Sequence, residues 1–211
     1  MNQRKKGILI SFEGTEGSGK STLIRLLIQK LEAMKIEVIA TREPGGNPVS
    51  EKIRETVLNF DMNPWTELLL YEAARSENLA QLVFPALRQG KVVLCDRFTD
   101  SSLAYQGSAR GLPWEKVKVL NLIATQGLSP DLTVFLDIDP ETGLRRAQDG
   151  NRFEAEGVHF QEKVRRGFLR ARREHPSTWF TLKVQNQTPE QLAEAVLKEL
   201  ARRFRIRYKT V

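Results

Sequence analysis

The sequence holds a single cysteine, Cys95, and two histidines, His159 and His175. One cysteine excludes an internal disulfide and a cysteine-ligated metal cluster, and it suits a reducing compartment, the cytoplasm. Both histidines read as surface or structural groups, so no histidine-based acid–base chemistry is expected. No run approaches the roughly 18 apolar residues that a membrane span needs. The opening "MNQRKKGILISFEG" sets basic residues before a short apolar stretch, but it lacks a long apolar core and a small-residue cleavage site. It is expected to open a strand, not to act as a signal peptide. There is no repeat, no low-complexity segment and no linker.

What remains is an ordinary globular composition, 40% hydrophobic and 28% charged, over 211 residues. That length suits one domain, 1–211, with a sizeable core. The net charge of +7 would serve nucleic acid, a membrane surface or a small polyanion. Much of it lies in Arg145 to Arg173, with nine Lys or Arg, and in the tail "RRFRIRYKTV". The tail reads as a solvated helix end.

Strand-like and helix-like stretches alternate. The runs "ILISF", "EVIAT", "KVVLCD", "LTVFLDID" and "WFTLKV" read as strands. Between and after them, helical spacing covers "STLIRLLIQKLEAMK", "VSEKIRETVLN", "PWTELLLYEAARSENLAQLVFPALRQG", "LPWEKVKVLNLIATQG", "PETGLRRAQ" and "FQEKVRRGFLRARREH". A last helix, "TPEQLAEAVLKELARRF", has Thr188 as N-cap before Pro189. Nearly all-apolar strands with helical connections imply a parallel sheet covered on both faces. The fold class is α/β, with five parallel strands.

The stretch "GTEGSGKS", Gly14 to Ser21, fits G-x-x-x-x-G-K-[ST] at every fixed position, follows a strand and opens a helix. Glycines in such a P-loop let backbone N–H groups turn inward around phosphate oxygens, and the helix N-terminus adds positive charge. The nucleotide-holding residues are Gly14, Thr15, Glu16, Gly17, Ser18, Gly19, Lys20, Ser21 and Thr22. Lys20 reaches the β and γ phosphates, and Ser21 ligates Mg²⁺. The motif names only a nucleotide donor, since GTPases, ATPases and small-molecule kinases all share it, and leaves the acceptor open. The N-K-x-D of a GTPase is absent, and a motor or helicase would normally be larger. A short chain with an arginine-rich segment points to a small kinase.

Four more segments fall in order: "TREPGG" (Thr41 to Gly46), "LLLYEAAR" (Leu68 to Arg75), "DRFTDSSLAYQG" (Asp96 to Gly107) and "LDIDPETGLRRAQDGNRFE" (Leu136 to Glu154). With the phosphate loop, the chain over essentially its whole length resembles the bacterial thymidylate kinases. The resemblance implies a P-loop NTPase fold with a short arginine-bearing lid, about 145–157. It implies ATP–Mg²⁺ as donor, dTMP as acceptor, a role in dTTP biosynthesis, and a homodimer with no nucleic-acid or membrane partner.

Independently, Asp96 and Arg97 end an apolar strand, where ligands of open α/β sheets bind. Arg97 offers a planar fork suited to a phosphate. Tyr71 and Arg75 lie four apart and share a helix face. The resemblance gives Arg97 the dTMP phosphate and puts Asp96 with Ser21 at the metal. It stacks Tyr71 on thymine, sends Arg75 to its O4, sets Ser102 beside the base, and counts Gln106 among the substrate-binding residues. It makes Tyr105 crowd the sugar 2′ position and Glu16 face the 3′-hydroxyl, and it adds Arg42 to the acceptor side. It also raises a cis Glu43–Pro44 bond, which composition leaves open.

Gly17 stands where some relatives carry an arginine in the loop, so the charge on the transferred group must be met from the lid. There Arg145, Arg146 and Arg152 are available. Arg152 is the favoured finger, though Asn151 replaces the usual aspartate before it, and Arg145 is placed near the donor. Two other functions compete. A deoxynucleoside kinase would use Glu43 as base for a neutral hydroxyl. A non-catalytic nucleic-acid module would interleave basic residues with exposed aromatics such as Phe204 and Tyr208.

Overall fold

The computed structural model describes residues 7–147, 150 and 152–204. Asn151, Tyr208 and the end of the basic tail lie outside them. The five apolar runs form β1 (Ile8–Glu13), β2 (Val38–Arg42), β3 (Val92–Asp96), β4 (Leu132–Asp137) and β5 (Trp179–Lys183). They pair in the order β2-β3-β1-β4-β5, every pairing parallel. The register sets Phe12 and Arg42 beside Asp96, and Glu13 beside Phe135. Strands in register end together, so Glu13, Arg42, Asp96 and Asp137 share one edge of the sheet.

Pleating sends alternate side chains to opposite faces. On one face Ile10, Phe12, Leu94 and Val134 meet Leu23, Leu27 and Leu31 of α1 (Lys20–Ala33) and Val196, Leu197 and Leu200 of α10 (Pro189–Phe204). Phe204 packs on this cluster too, so it is not an exposed aromatic. At the start of α10, the Thr188 hydroxyl accepts from Gln191 N at 3.2 Å, and Gln191 Oε1 accepts from Thr188 N at 2.8 Å. This reciprocal pair is a capping box and confirms the N-cap.

On the other face Leu9, Val93 and Cys95 meet Leu79, Val83 and Ala86. Phe135 meets Phe168 and Val164 of α9 (Gly157–Glu174), with Val117 of α6 (Trp114–Thr125) close by. Completing this side are α2 (Pro48–Asn59), α3 (Pro64–Asn78), α5 (Thr99–Ser102), α7 (Pro140–Arg146) and α8 (Arg152–Ala155).

Two elements depart from the sequence reading. The single helix expected from Pro64 to Gly90 passes through a π turn, Leu79–Val83, before α4 (Phe84–Arg88). Phe84 N–H reaches back to Leu79 O. Pro85 explains the widening, because its ring would crowd the carbonyl four residues back in a regular helix. The sequence reading assigns no element to "DSSLAYQG". It is helical, and beyond α5 it continues as a π segment, Leu103–Ala109, closed by Arg110 N to Tyr105 O at 2.9 Å. The widened period escapes a 3.6-residue pattern.

That π segment lies tight against α9. A Cβ on Gly167 would sit 2.6 Å from Ala104 Cα and 2.9 Å from Ser108 Cβ. Gly167→Ala is therefore expected to lower stability by about 1–3 kcal/mol through overpacking, read as a lower urea midpoint at unchanged m-value. In a roomy helix the same change would stabilise by up to about 1 kcal/mol, so a raised midpoint would refute the tight contact.

Candidate active site

The loop from Gly14 to Gly19 wraps Lys20, whose ammonium donates to Gly14 O and Thr15 O, each at 3.1 Å, and to Ser18 Oγ at 3.2 Å. Gly19 begins α1 with a left-handed φ of 89° and no side-chain cap, leaving the first-turn amides to the cleft. The Thr15 hydroxyl is buried with no partner among the described residues. Uncapped amides, an orphaned hydroxyl and a buried ammonium fit an anion of several oxygens. Gly17, at φ 67°, lies against the lid helix: a Cβ there would meet Gly143 O at 1.9 Å. An arginine cannot occupy this position without displacing α7.

Ser21 Oγ donates to Asp96 Oδ2 at 3.0 Å. Among the described residues no cluster of three or more His, Cys, Asp or Glu could hold a metal. A hydroxyl and one carboxylate suit Mg²⁺, which takes few protein oxygens and fills its octahedron with phosphate and water.

After β3 the chain turns sharply. Arg97 has φ 70°, a left-handed conformation costly for a non-glycine residue. Its N–H is held by Phe12 O at 2.9 Å, and the buried Glu13 carboxylate accepts from Phe98 N at 2.8 Å and Ser101 Oγ at 2.6 Å. Burial, with Asp100 nearby, pushes Glu13 up to about 8. The turn aims the Arg97 guanidinium at the loop, where it donates to Gly14 O at 3.0 Å and Glu16 Oε1 at 2.6 Å and lies 4.9 Å over the Tyr105 ring. The Tyr105 hydroxyl donates to the same Glu16 oxygen at 2.8 Å. Burial works against the Glu16 charge, but Arg97 and then Lys20 outweigh it and hold the carboxyl below its usual range.

These groups line one cleft of about 810 Å³ that continues to Tyr71, Arg75, Ser102 and Gln106. Arg75 is buried yet charged: Nε donates to Glu43 at 2.6 Å, NH1 to Glu72 and Asn121, each at 2.7 Å, and NH2 to Ser102 at 3.1 Å. Burial opposes its charge, and Glu43 and Glu72 more than compensate. Glu43, joined to Pro44 by a cis bond, is thus committed to an ion pair. Arg42 also lines the cleft, with Glu51 at 2.9 Å.

The lid places its arginines differently from expectation. Arg146 lines the cleft. Arg145 pairs with Glu141 on the exposed side of α7. The favoured Arg152 does not line the cleft: its NH2 donates to the buried Glu67 at 2.5 Å, and its guanidinium lies over Phe153. Phe153 enters the cleft instead, with edge contacts to Tyr71 and Tyr105 at 6.5 and 5.7 Å. Buried Gln161 accepts from Glu16 N at 3.4 Å and donates to Phe153 O at 3.0 Å, joining lid and loop. Sequence reasoning missed Glu13, Glu67, Glu72, Asn121 and Arg54, a cleft-lining cation on α2. For Glu67 a signal existed, since it shares a helix face with Tyr71 and Arg75 at spacings of four and eight.

A family profile described as thymidylate kinase matches residues 12–196. The chain is 44% identical to the thymidylate kinase of Pelobacter propionicus over 206 residues, 92% of this chain and 94% of that one. It is 48% identical to that of Oceanobacillus iheyensis over 198 residues, covering 90% and 86%. To that of Pelotomaculum thermopropionicum it is 51% identical over 171 residues, covering 78% and 79%.

Burial, then the Arg97 charge, pull the Lys20 ammonium down to about 8. A lysine that must be protonated to meet phosphate loses that interaction as pH rises through this value. The kcat/KM for the nucleotide donor, which reports the free enzyme, is expected to fall above pH about 8. A profile flat to pH about 10 would show that this lysine stays fully charged.

Proposed function

The chain belongs to the thymidylate kinase family, and we propose that its cleft makes dTDP from dTMP with ATP–Mg²⁺ as donor, each substrate entering from one end. dTMP phosphorylation in nucleotide biosynthesis is the activity of this family. The carrying observation is that Lys20 and Arg97, on elements 77 residues apart, converge on the Gly14 carbonyl at 3.1 and 3.0 Å. One cation serves each polyanion where the two must meet.

At the donor end the loop amides, the Thr15 hydroxyl and Lys20 hold the phosphates. Ser21 and Asp96 hold Mg²⁺, which when bound neutralises charge on the transferring group. At the acceptor end Tyr71 and Phe153 form apolar walls for the base, and Arg75, Ser102 and Gln106 form its polar floor. Tyr105 and Glu16 bound the sugar. Arg97, with Arg42 and Arg54 beyond it, takes the acceptor phosphate, passing from the Glu16 carboxylate to the phosphate oxygens. That phosphate carries about −1.5 to −2 charge at neutral pH, so it needs no strong base. Transfer is positioning plus charge stabilisation. Arg146, at the cleft, is better placed than Arg152 to meet the transferred group, and Arg152 positions the lid.

The reading extends to a cytoplasmic homodimer. Leu69 on α3 and Val119, Leu122 and Ile123 on the adjacent α6 are 52–67% exposed, and a second copy would cover such an apolar face. Among the described residues no helix is long and apolar enough to cross a membrane.

ADP release with ATP–Mg²⁺ tests this function: turnover is expected with dTMP and not with thymidine, and the reverse would favour a deoxynucleoside kinase. Arg97→Ala should cost about 1.5–3 kcal/mol of acceptor binding, raising KM for dTMP roughly 10- to 100-fold and far more than KM for ATP. Arg146→Ala should instead lower kcat by at least about tenfold with smaller KM changes. Equal effects of Arg97→Ala on both KM values would make its role structural.

A further inference from the structure

The polar floor of the acceptor pocket is set from behind by Glu67. This residue, in the first turn of α3, is fully buried. Its Oε1 accepts from Gln106 Nε2 at 2.8 Å and from Arg110 Nε at 3.4 Å. Its Oε2 accepts from Arg152 NH2 at 2.5 Å and stands 3.4 Å from Arg110 NH2. A carboxylate ion-paired with guanidinium groups offers only lone pairs. Gln106 must therefore turn its NH2 toward Glu67. Its carbonyl oxygen is left for the cleft that Gln106 lines, and it accepts no hydrogen bond from the described residues.

The neighbouring floor group has the opposite polarity. Arg75 is locked by Glu43, Glu72, Asn121 and Ser102, and a guanidinium can only donate. Contacts at two levels join α3 to the facing segment: Ser102 meets Arg75 and Glu72, and one turn further along Gln106 meets Glu67. Tyr71 lies on α3 midway between Glu67 and Arg75. The floor thus offers a fixed donor from Arg75 and a fixed acceptor from Gln106. Thymine presents the complement, the acceptor O4 beside the donor N3–H. Cytosine presents a donor N4 amino group beside the acceptor N3, which opposes both floor groups.

We propose that Glu67 is a positioning residue for base selectivity, turning the Gln106 carbonyl toward the acceptor base so that the pocket accepts thymine and rejects cytosine. This rests on the reading of the cleft as a dTMP site. The same carboxylate anchors the lid through Arg152, so the roof over the base and the polarity of the floor depend on one buried charge. Rejection is strong because a wrong base leaves buried polar groups unpaired at both floor positions.

Glu67→Gln keeps the shape but supplies an N–H that Gln106 can accept, freeing the Gln106 amide to present its NH2 to the base. The expected result is a fall of at least about tenfold in the ratio of kcat/KM for dTMP to kcat/KM for dCMP, carried by the KM values. Binding of N3-methyl-dTMP to the wild type, by calorimetry, should be at least about tenfold weaker than binding of dTMP, and this gap should shrink in Glu67→Gln. A folded Glu67→Gln with an unchanged ratio would overturn the inference. So would a wild type that binds N3-methyl-dTMP as tightly as dTMP, a result that needs no variant to fold. Failure of the dTMP-kinase reading looks different, because the wild type would then not turn over dTMP at all.

Discussion

Three arginines in and beside this cleft are largely withdrawn from water, and each is held by a carboxylate withdrawn with it. Arg75 has Glu43 and Glu72, Arg97 has Glu16, and Arg152 has Glu67. Removing an unpaired charge from water costs several kcal/mol, and a close ion pair with further hydrogen bonds offsets that cost. Pairs of this kind contribute little to net stability. Their effect is to fix the arginines before substrate arrives, so that little reorganisation remains for the reaction itself.

The carboxylates differ in what they release. Glu43 and Glu72 grip Arg75 from behind, leaving it as a fixed donor at the pocket floor. Glu16 faces the cleft with Arg97 and can hand it over to a phosphate. Beneath both lies Glu13, at the end of β1. By binding Phe98 N and Ser101 Oγ it stabilises the turn that forces Arg97 into the left-handed region. The strain is stored at the residue proposed to meet the acceptor phosphate, and the central strand of the sheet supports it.

The sheet, most of the helices and the phosphate loop were legible in the sequence, because each rests on local spacing. Apolar runs marked the strands, and "GTEGSGKS" stands between a strand and a helix as its chemistry requires. The segments after β2 and β3 were legible as site segments through their resemblance to thymidylate kinases, a family to which the chain belongs over residues 12–196. The carboxylate partners were not legible. Arg97 and Glu16 are 81 residues apart and Arg152 and Glu67 are 85 apart, distances that no local pattern spans. That is why Arg152 looked free to act as a finger, while the fold commits it to Glu67 and brings Arg146 to the cleft. The π segment carrying Tyr105 and Gln106 was hidden for another reason, since its turn is wider than the period by which helices are recognised.

The central claim is that the acceptor pocket is preformed by buried ion pairs, with Arg97 as the arginine that changes partner. A crystal structure of the protein with dTMP would test this most directly. The account predicts that Arg75 keeps its bonds to Glu43, Glu72 and Asn121, that Gln106 stays on Glu67, and that the Arg97 guanidinium leaves Glu16 for the phosphate. Arg75 released from both carboxylates, or a nucleotide phosphate bound away from Arg97, would contradict it.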